Sequence, residues 1–271
     1  MEIKGKTALV TGAGMGIGAL TCVELAKAGV HIIGVDVLKE TMSDVQKQVE
    51  SFGVKFYGYS CDLSREENIE TFTKQIQYEG RSFQILINNA GIAPSGPFIS
   101  QNFSVWKKAI SINIEGVAKL THSCLPHLSS QPEAHIVNLA SIAGKFGSEG
   151  TVIYSATKHA VVGFSQALRM ELYETKIGVS WICPSMAKTR MIDGVKPSAF
   201  TPVIEPIDVA KAILKAIRKN KGEVMVPASL RFSIVILPAL FPRFALWLAV
   251  KTKASKGWLT ANKGLEKNIP V

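Results

Sequence analysis

The chain has 271 residues, 47% of them apolar, and a formal net charge of +10. That length and composition supply one sizeable buried core, which excludes a disordered chain and a small disulfide-built scaffold. The charge is local: residues 1–210 carry 19 Lys/Arg and 19 Asp/Glu, whereas 211–271 carry 12 Lys/Arg against Glu223 and Glu266 alone.

From the first residues, Met-Glu-Ile-Lys-Gly-Lys leads straight into a strand-like run with no apolar signal-peptide core, so secretion is not expected and the cytoplasmic side is. Short apolar or β-branched runs at 7–11, 31–36, 54–60, 84–88, 134–140, 178–183 and 223–226 read as strands. Helical stretches fall between them at 16–29, 38–52, 65–79, 102–128, 151–175 and 206–220. Seven strands alternating with six helices predict an α/β fold: a doubly wound, mostly parallel seven-stranded sheet of the Rossmann type, helices on both faces. One domain is expected through residue 226. Ser64, followed by Glu66 and Glu67, reads as a helix start. The Pro-rich stretch from Lys196 to Pro206 reads as a loop or lid. Cys22, Cys61, Cys124 and Cys183 form no CxxC pair and read as core fillers, with no metal site.

The first strand–helix turn reads Thr11-Gly12-Ala13-Gly14-Met15-Gly16-Ile17-Gly18. Glycines permit positive φ and close approach of backbone to a pyrophosphate, and the following helix offers free N–H groups and its positive dipole end. Asp36 closes the second strand, where a carboxylate accepts from ribose hydroxyls and repels a 2′-phosphate, so NAD is favoured over NADP. A helix N-cap is the other use of Asp36.

Tyr154 and Lys158 stand four apart on one helix face. A phenol near its usual pKa of ~10 is a poor base at neutral pH, and an adjacent ammonium favours the phenolate. Ser141 follows the fifth strand, at the carboxyl edge where such sheets bind ligands, and can hold a substrate oxygen beside Tyr154.

Together, the glycine turn, Asp62-Leu63, Asn88-Asn89-Ala90-Gly91, Asn113, Ser141 and Tyr154-Ser-Ala-Thr-Lys158 resemble the short-chain dehydrogenase/reductase family of the common 250-residue type over residues 5–226. The resemblance implies Tyr154, Lys158, Ser141 and Asn113 as catalytic residues, with Asn113 holding a water that links Lys158 to solvent. It implies a cofactor site of Gly12, Gly16, Ile17, Gly18, Asp36, Asp62, Leu63, Asn89, Ala90, Gly91, Tyr154, Lys158 and Thr189. Asp62 and Leu63 would flank the adenine, and Thr189 would meet the nicotinamide carboxamide. The family's Pro-Gly loop appears as Pro184-Ser185, a departure that removes a residue tolerant of positive φ. A homodimer or homotetramer is implied as well.

Residues 232–250 hold one charge, Arg243, but Pro238 and Pro242 argue against a continuous span. The segment 227–271 therefore reads as an apolar, basic extension of two short helices on a membrane surface, with Trp247 and the lysines at 251, 253 and 256 near headgroups. Covering the substrate pocket or packing on a second subunit are its other uses. Nucleic-acid binding is not expected, because no zinc-ligand spacing or RNA-binding aromatic motif accompanies the lysines.

The function expected is an NAD(H)-dependent oxidoreductase interconverting an alcohol and a ketone or aldehyde. Its substrate is expected to be lipophilic, with Phe146, Met191 and Ile192 near the pocket. Alternatives are reduction of a 3-oxoacyl thioester and, from another class, a catalytically silent NAD-binding regulatory or scaffold protein.

Overall fold

The computed structural model describes residues 1–195, 201–252 and 256–259. Residues 196–200 of the Pro-rich stretch, and Lys253 with the rest of 253–255 and 260–271, lie outside them.

The main strands are β1 (Thr7–Thr11), β2 (His31–Asp36), β3 (Phe56–Ser60), β4 (Ile85–Asn88), β5 (Ala134–Leu139) and β6 (Ile177–Pro184). A two-residue pair follows, β7 (Met186–Ala187) with β8 (Val203–Ile204), and then β9 (Glu223–Val226). The seven-stranded sheet runs β3-β2-β1-β4-β5-β6-β9 and every pairing is parallel. Its central strands are buried almost throughout, as strands covered on both faces must be.

The helices are α1 (Gly16–Lys27), α2 (Ser43–Glu50), α3 (Glu66–Tyr78), α4 (Phe103–Ile110), α5 (Val117–Ser129), α6 (Val152–Glu171) and α7 (Pro206–Lys219), then α8 (Leu237–Leu240) and α9 (Pro242–Lys251). One buried cluster packs α1, α2 and α7 on one face of the sheet, through residues such as Leu25, Val49 and Ile213. A second packs α3, α5 and α6 on the other, through Phe72, Leu120 and Leu168. The strand order reverses between β1 and β4, and ligands of such sheets bind at the carboxyl ends there.

Three expectations are corrected. The helix expected over 102–128 is α4 and α5 joined by a π-helical turn, Ser111–Gly116, that contains Asn113. The start of α3 falls at Arg65, with no side-chain cap, and Ser64 instead donates its N–H and hydroxyl to the Asp62 carboxylate at 2.9 and 2.7 Å. The Pro-rich stretch is not all loop, because Val203–Ile204 pairs with β7 and Pro206 opens α7.

All four cysteines are free and buried, and burial pushes the thiols of Cys61, Cys124 and Cys183 up to about 12. No helix among the described residues is long and apolar enough to cross a membrane.

Candidate active site

A pocket of about 550 Å³ opens at the carboxyl ends of β1, β4, β5 and β6. It brings together Gly12, Gly16, Ile17, Asn89, Ala90, Gly91, Ser141, Tyr154, Lys158 and Thr189. Gly18, Asp36, Asp62, Leu63 and Asn113 do not line it.

The glycine turn is built largely by internal packing. A Cβ on Gly18 would stand 1.9 Å from the Gly12 carbonyl oxygen, so α1 can seat against the turn only without a side chain there. Gly16 has φ +57° and faces Thr189, whose methyl would lie 3.3 Å from an added Cβ. The N-terminus of α1 receives no side-chain cap and holds no acid in its first turn. An uncapped helix start that presents Met15, Gly16 and Ile17 to the pocket fits a diphosphate.

Asn89 serves the turn itself. Its Nδ2 donates to the Thr11 and Gly12 carbonyls at 2.8 and 3.2 Å, and the Thr11 hydroxyl accepts from the N–H groups of Asn89 and Ala90, both at 3.0 Å. Thr11 was missed because its role is to fasten two loops, which leaves no spacing signature. Asp36 likewise fastens the turn, accepting from Gly14 N–H at 2.9 Å and from Val37 N–H at 2.8 Å. It caps no helix: the 3-10 turn after it starts from Leu38 without a side-chain cap. A carboxylate has more lone pairs than these two bonds use, so Asp36 can still accept from a ribose.

On the other wall, α6 carries Tyr154 and Lys158 inward, 8% and 6% exposed. The Tyr154 and Ser141 hydroxyls both face the pocket, and Ser141 acts on the phenol to draw it down. Ser141 Oγ also accepts the Ala143 N–H at 3.1 Å, which fixes it at the start of the turn after β5. Lys158 Nζ donates to the Leu139 carbonyl at 2.6 Å and sits 5.8 Å from the centre of the Tyr154 ring. Burial lowers Lys158 to about 8. Burial raises Tyr154 above its ordinary value, and the Ser141 hydroxyl opposes this only in part.

Asn113 is fully buried and its amide is committed. Oδ1 accepts from Ile92 N–H at 2.9 Å; Nδ2 donates to the Ile92 carbonyl at 2.9 Å and to Thr157 Oγ1 at 3.0 Å. It therefore ties the π-helical turn to the strand β4 exit and to α6, one residue from Lys158. The turn after Ser141 is anchored from outside by Lys145, whose Nζ meets Glu223 at 2.5 Å; Trp181 Nε1 donates to the same carboxylate at 3.1 Å.

Ser185 needs no positive φ, since Asn220 is the one non-glycine with it among the described residues. Its hydroxyl donates to the Pro202 carbonyl at 2.8 Å, joining the loop after β6 to β8. Met191 and Ile192 line the pocket as expected, together with Lys188 and Arg190. Phe146 does not. The Ile142–Gly144 3-10 turn carries it to a separate cavity of about 80 Å³ under the C-terminal helices. Trp258 was also missed: it reaches the pocket from the far end of the chain and lies against Gly150, whose φ of +80° and crowded Cβ position both require glycine.

The chain belongs to the short chain dehydrogenase family, whose model matches residues 6–198. It is 29% identical over 247 residues to epidermal retinol dehydrogenase 2 of Mus musculus, covering 89% of this chain and 80% of that one. It is also 29% identical over 212 residues to the 3-oxoacyl acyl-carrier-protein reductase of Thermotoga maritima, covering 78% and 86%. Among solved structures, a Burkholderia phymatum short chain dehydrogenase/reductase in complex with NAD matches with a TM-score of 0.78 at 24% identity, over 90% of this chain and 97% of that one. A Sphingobium yanoikuyae short-chain dehydrogenase in complex with NADPH matches at 0.75 and 26% identity, over 98% and 96%. The chain is thus an oxidoreductase of this family, acting on CH–OH groups.

Proposed function

We propose that the chain interconverts a lipophilic secondary alcohol and its ketone, or a related aldehyde, with NAD(H). The observation that carries this reading is the buried Ser141–Tyr154–Lys158 group opening into the same pocket as the glycine turn. The nicotinamide cofactor supplies hydride exchange when bound. Ser141 Oγ and Tyr154 Oη hold the substrate oxygen, and Tyr154 Oη takes its proton during oxidation or returns it during reduction. Lys158, tied to Leu139, places positive charge 5.8 Å from the centre of the phenol ring, which favours the phenolate during proton transfer. Asn113 braces Lys158's helix through Thr157, and its water relay forms part of the reading. Gly12, Gly16, Ile17 and Gly18 seat the diphosphate; Ala90, Gly91 and Thr189 flank the rest of the cofactor, with Asp62 and Leu63 at the adenine.

NAD is preferred because the Asp36 carboxylate is fixed at the end of β2. The lipophilic substrate is supported by the apolar wall of Ile142, Met186, Met191, Ile192 and Trp258, and by the similarity to a retinol dehydrogenase. Residues 1–226 form the catalytic domain in this reading and 227–271 an extension, within a homodimer or homotetramer.

A second reading, reduction of a 3-oxoacyl thioester, is favoured by the similarity to the Thermotoga maritima reductase and by Lys188 and Arg190 at the pocket, which suit an acidic carrier. The test is NADH oxidation and NAD+ reduction with a panel of retinoids, steroids, simple ketones and 3-oxoacyl thioesters. Turnover of the first three and not the thioesters supports the leading reading. Tyr154→Phe is expected to lower kcat by roughly a hundredfold or more while NADH still binds; undiminished turnover refutes the role of Tyr154.

A further inference from the structure

The C-terminal helices have two apolar faces, and the fold uses one. Ser233, Ile234 and Leu237, with Ala245, Leu248 and Ala249 on α9, turn inward over Ile142 and Phe146. The opposite side carries Phe232, Ile236, Leu240, Phe241, Phe244, Trp247 and Val250, all exposed. Phe244 and Trp247 are 50% and 55% exposed and stack on one another at 5.8 Å, with nothing covering them among the described residues. Helix α9 is two-sided: Ala245, Leu248 and Ala249 are covered, while 243, 244, 246, 247, 250 and 251 are exposed.

The charge of the exposed row on α9 has one sign. Arg243 and Lys251 lie on its outward side, Arg231 is paired with Glu223 at 4.0 Å, and no Asp or Glu occurs between Glu223 and Glu266. Five of the twelve cations of 211–271 lie elsewhere, on α7 and the turn after it: Lys211, Lys215, Arg218, Lys219 and Lys221. A second copy docked through the same row would bring Arg243 and Lys251 toward their own kind, which disfavours a symmetric pair. At 1.5 Å per residue, α9 is about 15 Å long, half of a bilayer's hydrocarbon core.

We propose that this outward row lies flat on an anionic phospholipid surface, with its rings among the acyl chains and Arg243 and Lys251 at the headgroups. Ile142, Ser148 and Thr201 line both the small cavity beneath the extension and the main pocket. One helix layer of about 10 Å therefore separates the lipid surface from the pocket wall. An apolar substrate dissolved in that membrane has a short path to Tyr154, and this consequence rests on the dehydrogenase reading above.

The experiment is co-sedimentation of the purified full chain with vesicles of phosphatidylcholine alone, or with about a third phosphatidylglycerol. The expected result is binding to the anionic vesicles that is released as salt rises from about 0.1 M to about 1 M. Trp247→Glu is expected to abolish it. Arg243→Gln and Lys251→Gln, which leave the apolar row intact, are each expected to weaken it roughly fivefold. Indifference of the wild-type chain to anionic vesicles overturns the proposal, as does unchanged binding by Trp247→Glu. A Trp247→Glu variant that splits an oligomer while the wild type ignores vesicles makes a second copy the occupant and also overturns it. Binding is read without substrate or cofactor. A chain that binds vesicles but turns over nothing therefore fails the dehydrogenase reading alone, and an active chain that binds none fails the docking proposal alone.

Discussion

The Asp36 carboxylate accepts the Gly14 N–H at 2.9 Å, so the residue at the end of β2 also pins the glycine turn that follows β1. Charge and hydrogen bonding can be separated here. Asp36→Asn keeps an acceptor for Gly14 but no longer repels a 2′-phosphate. The NADP to NAD ratio of kcat/KM is expected to rise roughly tenfold or more. Asp36→Ala is expected to give the same shift together with a lower Tm. An unchanged cofactor ratio in both variants would remove Asp36 from the cofactor site.

Lys158 has a cost to stability. Its folded-state value of about 8 lies below its ordinary 10.5, so between these the unfolded chain binds more protons and stability rises with pH. Below about pH 8 the full penalty stands. Lys158→Met is expected to stabilise the chain by about 2 kcal/mol at pH 7, the lost bond to Leu139 having offset part of the gain. The gain should fade toward pH 10, and turnover should fall by about a hundredfold or more at every pH. Denaturant unfolding at pH 7 and pH 10 checks the first part, and steady-state kinetics the second.

At the amino end of the same sheet, His135 is buried against Ser180, with Nε2 and Oγ 2.8 Å apart. Burial holds the imidazole down at about 3, so the folded chain keeps it neutral while the unfolded chain protonates near 6.5. Stability is therefore whole above pH 6.5 and is lost as pH falls from there toward 3. Between pH 6.5 and 5 the loss from this group should be about 2 kcal/mol. His135→Asn should flatten that slope in pH-dependent urea unfolding, even if it lowers stability at pH 7.

Ser185 stands where the family pattern has glycine, and in this chain it is the better residue. Its backbone needs no positive φ, and its hydroxyl holds Pro202. Ser185→Gly is expected to cost about 1 kcal/mol, from the lost hydrogen bond and the freer unfolded chain. A higher Tm in that variant would show that the loop is strained.

Much of this was legible because chemistry and periodicity point the same way. The alternation of strands and helices gave the sheet, and the four-residue spacing of Tyr154 and Lys158 placed both on one helix face. What stayed hidden was carried by backbone. Lys158 is held by the Leu139 carbonyl, and a carbonyl has no residue identity to read. The π-helical turn at Ser111–Gly116 carries no Gly or Pro in its interior to mark it in the sequence. Phe146 is near Ser141 in sequence, but a single 3-10 turn points it elsewhere. The charge count cut helix α7 in two, so cations of a catalytic-domain helix were credited to the tail. The bonds from Asn89 to the glycine turn also went unread, because the family motif marks the position and not the atom; the residue lines the pocket while its amide fastens the turn.

Trp258 closes one side of the pocket long after Tyr154 in the order of synthesis. On the ribosome, the glycine turn, Ser141 and Tyr154 can assemble while that apolar wall is still incomplete. The half-made pocket then lacks one apolar wall beside Met186 and Ile192, the kind of surface on which nascent chains stick. The final turns of the chain thus bear on how safely the enzyme is made as well as on what its pocket admits.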